Sequence, residues 1–375
     1  MIFLYFYRLA EPYFCFKKMK TKLLLALAAL FACHTLSAQS TYRIHEADSA
    51  IHAAIADSIV PGAVLCVVED GQITLLKAYG NRAVWPEVET MTTNTIFDLA
   101  SLSKPLGAGT AALLLANEGL LSVDELVCKY IPNFHSDVTI RHLMKHYSGL
   151  PAYFLAGPLE KVFLERGGDS LNMQERRDFT VDSIARCHRP TAIDEKYRYS
   201  CLNFISLQRV VETIVETDIN SYLRNGHYRQ LGLTTVGWLP ADSLLPRIAP
   251  TECIDSLCLR GRVHDPVARI MMGGISGNAG LFASAEDVAK WAIWFMSLPE
   301  EMRTKGCNAG LWTDSIATST GAETLRCRHT GYTGTSITTL PELNRAVILL
   351  TNRVHPKDEN GLGSLRKAVN NALVP

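Results

Sequence analysis

From residue 60 to residue 80 the chain reads VPGAVLCVVEDGQITLLKAYG, two apolar, β-branched runs separated by Glu69, Asp70, Gly71 and Gln72. Such runs closed around an Asp-Gly pair predict a β-hairpin. The pattern then changes period. KPLGAGTAALLLANEGLL (104–121) reads as a helix, with Pro105 near its start and Gly119 as its stop. TIRHLMKHYSGLP (139–151) is a second, amphipathic one, ended by Ser148, Gly149 and Pro151. Helical spacing recurs over 202–216, 218–232 and 284–298, the last with Ser284 and Asp287 placed as a capping box. TSITTLPELNRAVILLTN (335–352) returns to strand character, and GSLRKAVNNAL (363–373) is the last helix. Strands at both ends bracket a long helical middle. That order predicts an antiparallel sheet built from both ends of the chain with a helical region inserted, and a site in the cleft between them.

Composition changes this picture little. The 375 residues are 47% hydrophobic and 20% charged, ample for a buried core. Thirty-seven basic and 37 acidic residues cancel, which argues against nucleic acid as a main partner. No internal repeat or low-complexity tract stands out. The beginning of the chain does add something. From Met19 it reads MKTKLLLALAALFACHTLSAQS: lysines, an apolar run from Leu23 to Ala32, then small residues up to Ala38. These are the parts of a secretory signal peptide, too short in its apolar run for the roughly 20 residues that span a bilayer. Residues 1–38 are therefore expected to be a leader, and the protein to be exported to the periplasm or cell envelope. LFAC also resembles a lipoprotein cleavage site with Cys33 as the lipidated residue, although Phe31 fits that pattern poorly. A lipid anchor at Cys33 is the sole membrane contact expected. Of the ten cysteines, Cys253 and Cys258 make the best local pair, and Cys66 reads as a buried thiol in a strand.

The candidate chemistry starts at FDLASLSKPLGAG (97–109). Lys104 lies three residues after Ser101, inside apolar sequence. A buried lysine is costly unless it is paired or loses its proton, so the stretch is either a solvated helix start or a site that uses a neutral amine. Positions i and i+3 of a helix share a face, and a desolvated lysine of lowered pKa can activate a serine hydroxyl. The helix start also offers the Ser101 N–H to a developing oxyanion. Alone, S-x-x-K is a weak pattern. Two further segments strengthen it: YRYSCLNF (197–204), with Tyr199 as a proton-relay candidate, and RHTGYTGTSI (328–337), with His329, Thr330 and Gly331 leading into a strand. Other patterns weigh less. GGDSL (167–171) mimics a hydrolase signature without a preceding strand or a D-x-x-H partner, and His142 and His146, four apart, lack a third metal ligand and read as packing or capping.

In this order the motifs resemble those of class C β-lactamases, low-molecular-weight penicillin-binding proteins and related serine esterases. The resemblance runs almost end to end. VHDPVARIMMGGISGNAGLFASAEDVAKW (263–291) and LLTNRVHP (349–356) are most similar to the branch of penicillin-binding protein 4B and β-lactamase-related hydrolases. The resemblance implies an α+β fold of the β-lactamase/D,D-peptidase type, an antiparallel sheet flanked by helices plus a mainly helical domain. The β-lactamase-related domain would span 39–375, its sheet part about 43–100 and 270–375 and its helical part about 101–269. It implies Ser101 as the acyl-forming nucleophile, Lys104 as its partner, Tyr199 as general base and then acid, and His329 as a substrate-orienting group. The N–H groups of Ser101 and Tyr332 would form the oxyanion hole, with Thr330 and Gly331 beside the substrate. Cys201 stands where the family usually has Asn or Asp, and Asn278 where it commonly has His; Cys201, Asn203 and His264 are secondary candidates. No cofactor or metal is implied. The expected partner is a small molecule or a peptidoglycan peptide ending in D-Ala. β-Lactamase or esterase activity is the alternative, and a non-catalytic module that binds peptidoglycan fragments or β-lactams is the alternative of another class.

Overall fold

A computed structural model describes residues 43–375 apart from 154–164, 166–170, 255–256, 319 and 360. The leader, with Cys33 and Ala38, lies outside the described residues, as does most of the GGDSL stretch.

The strands in chain order are β1 Gly62–Glu69, β2 Gln72–Ala83, β3 Glu89–Thr90, β4 Ile96–Asp98, β5 Cys253–Ile254, β6 Leu257–Cys258, β7 Phe282–Ser284, β8 Trp312–Ala317, β9 Glu323–Thr330, β10 Ser336–Leu340 and β11 Arg345–Thr351. Seven form one antiparallel sheet in the order β3-β2-β1-β11-β10-β9-β8. β1, the hairpin's first strand, therefore meets β11 near the other end of the chain, with Leu65 opposite Leu349. Its unbroken apolar run follows from that central position. Ala63, Leu65 and Val67 pack on one face with residues of the 43–56 helix and the Gly363–Leu373 helix; Val64, Cys66 and Val68 pack on the other, in the large core that also holds the Ala285–Ser297 helix. The 43–56 helix lies in a segment whose pattern gave no helical expectation.

The middle of the chain is helical, with Thr110–Glu118, Ile140–Lys145, Met173–Ala185, Cys201–Val215 and Ile219–Leu223. Two helical expectations change in kind. Residues Lys104–Gly109 and Arg224–Tyr228 wind as wide π-type turns next to regular helix. The Ser284/Asp287 capping box is only half made. Ser284 Oγ accepts the Asp287 N–H at 3.3 Å, but the Asp287 carboxylate turns to the N–H groups of Thr234 and Thr235 at 2.8 and 2.7 Å. Tertiary donors thus outcompete the local one. Cys253 and Cys258, facing each other across the β5–β6 hairpin, form the disulfide their spacing suggested, and Cys66 is a fully buried thiol whose pKa burial pushes up to about 12. Short β4 pairs with β7 in a separate two-stranded sheet and leads directly into residues 99–104.

Candidate active site

The segment after β4 is held by its own acidic residue. The buried Asp98 carboxylate accepts the Ala100 N–H at 2.8 Å and the His264 N–H at 2.7 Å. Between them the chain turns sharply: Ala100 has φ +46°, a left-handed conformation that costs an L-residue about 1–2 kcal/mol. Thr333 and Thr335 donate their hydroxyls to the carbonyls of Asp98 and Leu99, at 2.7 and 2.8 Å, and so fasten the β9–β10 connection against this turn. Gly331 is required there. A Cβ at that position would stand 2.1 Å from Thr335 Oγ1 and 2.4 Å from the Leu99 carbonyl.

Lys104 has no exposed surface. Its three donors are all placed: Ser101 Oγ at 3.0 Å, the Asn278 carbonyl at 3.0 Å and Cys201 Sγ at 3.5 Å. Both sequence alternatives for this lysine are corrected. It is not a solvated helix start, and its pKa is not lowered: burial opposes the charge, but Cys201, Tyr199 and, more weakly, Asp265 outweigh it and move the ammonium upward. The Lys104 ammonium lies over the Tyr199 ring, 5.0 Å from its centroid, and the phenol is close enough to interact with both Lys104 and Ser101. Burial raises its pKa more than Lys104 lowers it, so it rests as a neutral phenol. The hydroxyl, the ammonium and the phenol, from two distant segments, meet in one cluster.

His329 is fully buried behind them, its ring 6.2 Å from that of Tyr199. Its Nδ1 faces the Thr330 carbonyl at 2.9 Å, and its Nε2 has no hydrogen-bond partner among the described residues. Burial, aided by Lys104, lowers its pKa to about 3, which keeps the imidazole neutral. Trp312, the first residue of β8, stacks on it at 4.4 Å and 21°. The open cleft, about 460 Å³, is lined by Ser101, Tyr199, Thr330, Gly331 and Tyr332, with Tyr197, Trp312, Arg353, Leu362 and Arg366 completing it. Tyr332 is 59% exposed, its hydroxyl bonded to Asp358 and its carbonyl held by Arg353 at 2.8 Å.

The secondary candidates separate. Cys201 belongs to the cluster through Lys104. Asn203 does not: it is buried, accepting from Ser148 Oγ at 2.6 Å and meeting His146 Nδ1 at 3.0 Å. The first residues of a helix point in different directions, and a step of two residues carries Asn203 to the interior. His264 contributes its backbone to Asp98, and its ring stacks on Tyr332 with centroids 5.7 Å apart. His142 caps its helix and pairs with Asp194 at 3.1 Å, while His146 is buried against Tyr199 and Phe204. The sequence reading missed Asp98, Trp312 and Arg366. An acidic residue inside the apolar run 96–100 was a usable signal for Asp98; nothing local distinguished the other two.

A family model described as Beta-lactamase matches residues 47–370. The chain belongs to the β-lactamase family. It is thus one of the β-lactamase-fold hydrolases. Among curated relatives, an N-acetylmuramyl-L-alanine amidase of Bacillus subtilis is 28% identical, over 84% of this chain and 82% of its own length. A putative D-alanyl-D-alanine carboxypeptidase of Salmonella agona is 27% identical, over 84% and 83%. A class C β-lactamase structure from Rhodobacter sphaeroides superposes with a TM-score of 0.66 over 88% of this chain and 98% of that one, at 18% identity, and shares the fold. The antiparallel sheet flanked by helices is that of this β-lactamase-family fold.

Proposed function

We propose that this β-lactamase-family hydrolase works through an acyl-enzyme on Ser101 and acts on peptides ending in D-Ala, as a D,D-carboxypeptidase. The observation that carries the reading is the convergence of Ser101 Oγ, the buried Lys104 ammonium and the Tyr199 phenol. With Tyr199 neutral, proton movement is a relay. As Ser101 Oγ attacks the carbonyl carbon, the phenol takes the hydroxyl proton and passes its own to the leaving nitrogen, while Lys104 stabilises the negative charge that passes through. The N–H groups of Ser101 and Tyr332 receive the carbonyl oxygen. Water then attacks the ester by the same path in reverse. Arg366 supports a substrate with a free carboxylate. It lines the cleft, its Nη2 donates to the Gly331 and Thr335 carbonyls at 2.6 and 2.9 Å, and no carboxylate pairs with it among the described residues. A curated relative named as a putative D-alanyl-D-alanine carboxypeptidase favours an amide of that kind, and one named as an N-acetylmuramyl-L-alanine amidase favours an amide bond in general.

Ester hydrolysis is the second reading, favoured by Cys201. A thiol is a weak hydrogen-bond donor and supplies no amide to a substrate carbonyl. Fluorescent penicillin and a fluorophosphonate, each applied to the protein and to Ser101→Ala, decide the matter alongside release of D-Ala from a D-Ala-D-Ala peptide. A stable Ser101-dependent penicilloyl adduct with D-Ala release is the expected result. Rapid loss of the adduct indicates a β-lactamase, and fluorophosphonate labelling alone an esterase. The absence of any Ser101-dependent adduct would leave a binding module and overturn the proposal. Export is part of the same reading and rests on the leader pattern at 19–38. Mature protein beginning after Ala38, or palmitate on Cys33, is the outcome that bears it out; an intact beginning in the cytosolic fraction overturns it.

A further inference from the structure

A second cavity of about 530 Å³ adjoins the catalytic cleft and shares two of its walls, Tyr197 and Trp312. Its floor is the turn Cys307–Gly310, where Cys307, Asn308 and Ala309 have φ of 49°, 51° and 54° before Gly310 at 76°. Three consecutive non-glycine residues in the left-handed region are strained and hold that shape only where the surroundings impose it. Here they do. The Ala309 carbonyl fills the space left by the missing side chain of Gly109, where a Cβ would stand only 1.9 Å from it, and Arg141 reaches Cys307 Sγ at 3.7 Å.

What the strained turn and the neighbouring strand β9 bring to the cavity is chemistry without a partner. Asn308 Oδ1 and Arg328 Nε are buried polar atoms with no hydrogen-bond partner among the described residues, and both residues line the cavity. The charged lining is positive: exposed Lys145 and half-buried Arg328, with no carboxylate among the described residues that line it. Asp314, which is not part of the lining, is shared between Arg326 at 2.6 Å and Arg328 at 3.3 Å, so a single carboxylate faces two guanidinium groups. Buried groups of this kind are stabilised when a ligand completes them. An unpaired amide oxygen at Asn308, beside Lys145 and an Arg328 whose Nε has no partner and whose Nη2 only shares Asp314, fits an N–H next to a carboxylate.

We propose that this cavity is a second subsite of the cleft and binds an acidic, peptide-like part of the substrate, the carboxylate at Lys145 and Arg328 and an adjoining N–H at Asn308. The inference rests on the hydrolase reading given above and adds a subsite to it. Its test uses matched 4-nitrophenyl esters with an acylamino tail that ends either in a carboxylate or in the isosteric primary amide. A second matched pair carries the same tail on the leaving alcohol. Each compound is also measured as a competitor of fluorophosphonate labelling at Ser101, so binding is read whether or not it turns over. In one of the two placements the carboxylate compound binds about tenfold better than its amide, the size expected of a charge-assisted contact. Lys145→Glu and Arg328→Gln each abolish that ratio, which is taken within each variant so that a general change in activity cancels. Equal binding of both tails to the unaltered protein in both placements, or a ratio untouched by both substitutions, overturns the subsite and leaves the hydrolase reading standing. Failure of Ser101 to label at all overturns both.

Discussion

At the scale of single residues, Lys104 is the point on which the site turns. Its three contacts fix a side chain that has no surface and hold it charged. Lys104→Ala removes the partner of Ser101 and leaves the Asn278 carbonyl unsatisfied, so Ser101 labelling by fluorophosphonate is expected to slow by about 10²-fold or more, read as a rate against time. Cys201 supplies the third contact. Cys201→Ala is expected to slow labelling about fivefold, the loss of one hydrogen bond weakened by its sulfur acceptor, while Cys201→Ser restores it. A rate unchanged in Cys201→Ala removes the thiol from the site. The S-x-x-K spacing and the tyrosine and histidine motifs were readable in the sequence because each is local. The charge on Lys104 was not, since it depends on groups that lie 97 and 174 residues away along the chain.

The elements place these residues through a few contacts of short reach. The β9–β10 connection approaches the nucleophile turn so closely that only Gly331 fits. Gly331→Ala is expected to push Thr330 and Tyr332 outward and to cut acylation at Ser101 about 10²-fold, the order of one lost oxyanion donor, with circular dichroism unchanged. Far from the cleft, Ser284 caps the helix that covers the sheet and also meets the Thr235 hydroxyl at 3.2 Å. Ser284→Ala should lower the unfolding free energy by about 1 kcal/mol in urea titration and leave labelling rates intact. Caps and the alternation of β1 are legible because they depend on neighbours in sequence. The Trp312 wall was not, because it forms only when β8 pairs beside β9 and brings the indole over His329.

For the whole molecule, burial of imidazoles links stability to pH. His329 is held at about 3 and His227 at about 4, against an ordinary value of 6.5, and in both burial is the main cause. A depressed folded-state pKa means that the unfolded chain takes the proton first. Stability is therefore complete above pH 6.5 and falls as pH drops through the window from 6.5 towards 4 and 3. By pH 5 each group should have removed about 2 kcal/mol, measured as the difference between urea midpoints at pH 7 and pH 5. His227, which packs on Trp294 at 4.2 Å and lies outside the cleft, offers the control: His227→Gln should remove only its own share, about 2 kcal/mol, and leave the part owed to His329 and the likewise depressed His146. A flat profile between pH 7 and pH 5 contradicts the burial of both rings.

The sequence by itself determined the hairpin, most of the helices of the middle, the returning strands near the end, the cysteine pair and the three motifs, because turn chemistry, periodicity and i,i+3 spacing act over a few residues. Only the tertiary structure decided that Lys104 is charged and Tyr199 neutral, that Asn203 turns to His146 while Cys201 turns to the lysine, and that a strained turn at 307–310 opens a second cavity beside the first. The physical reason is common to all three. Desolvation, hydrogen-bond completion and steric exclusion are set by atoms that approach in space, and those atoms come from segments the chain keeps far apart until the β1–β11 pairing closes the sheet.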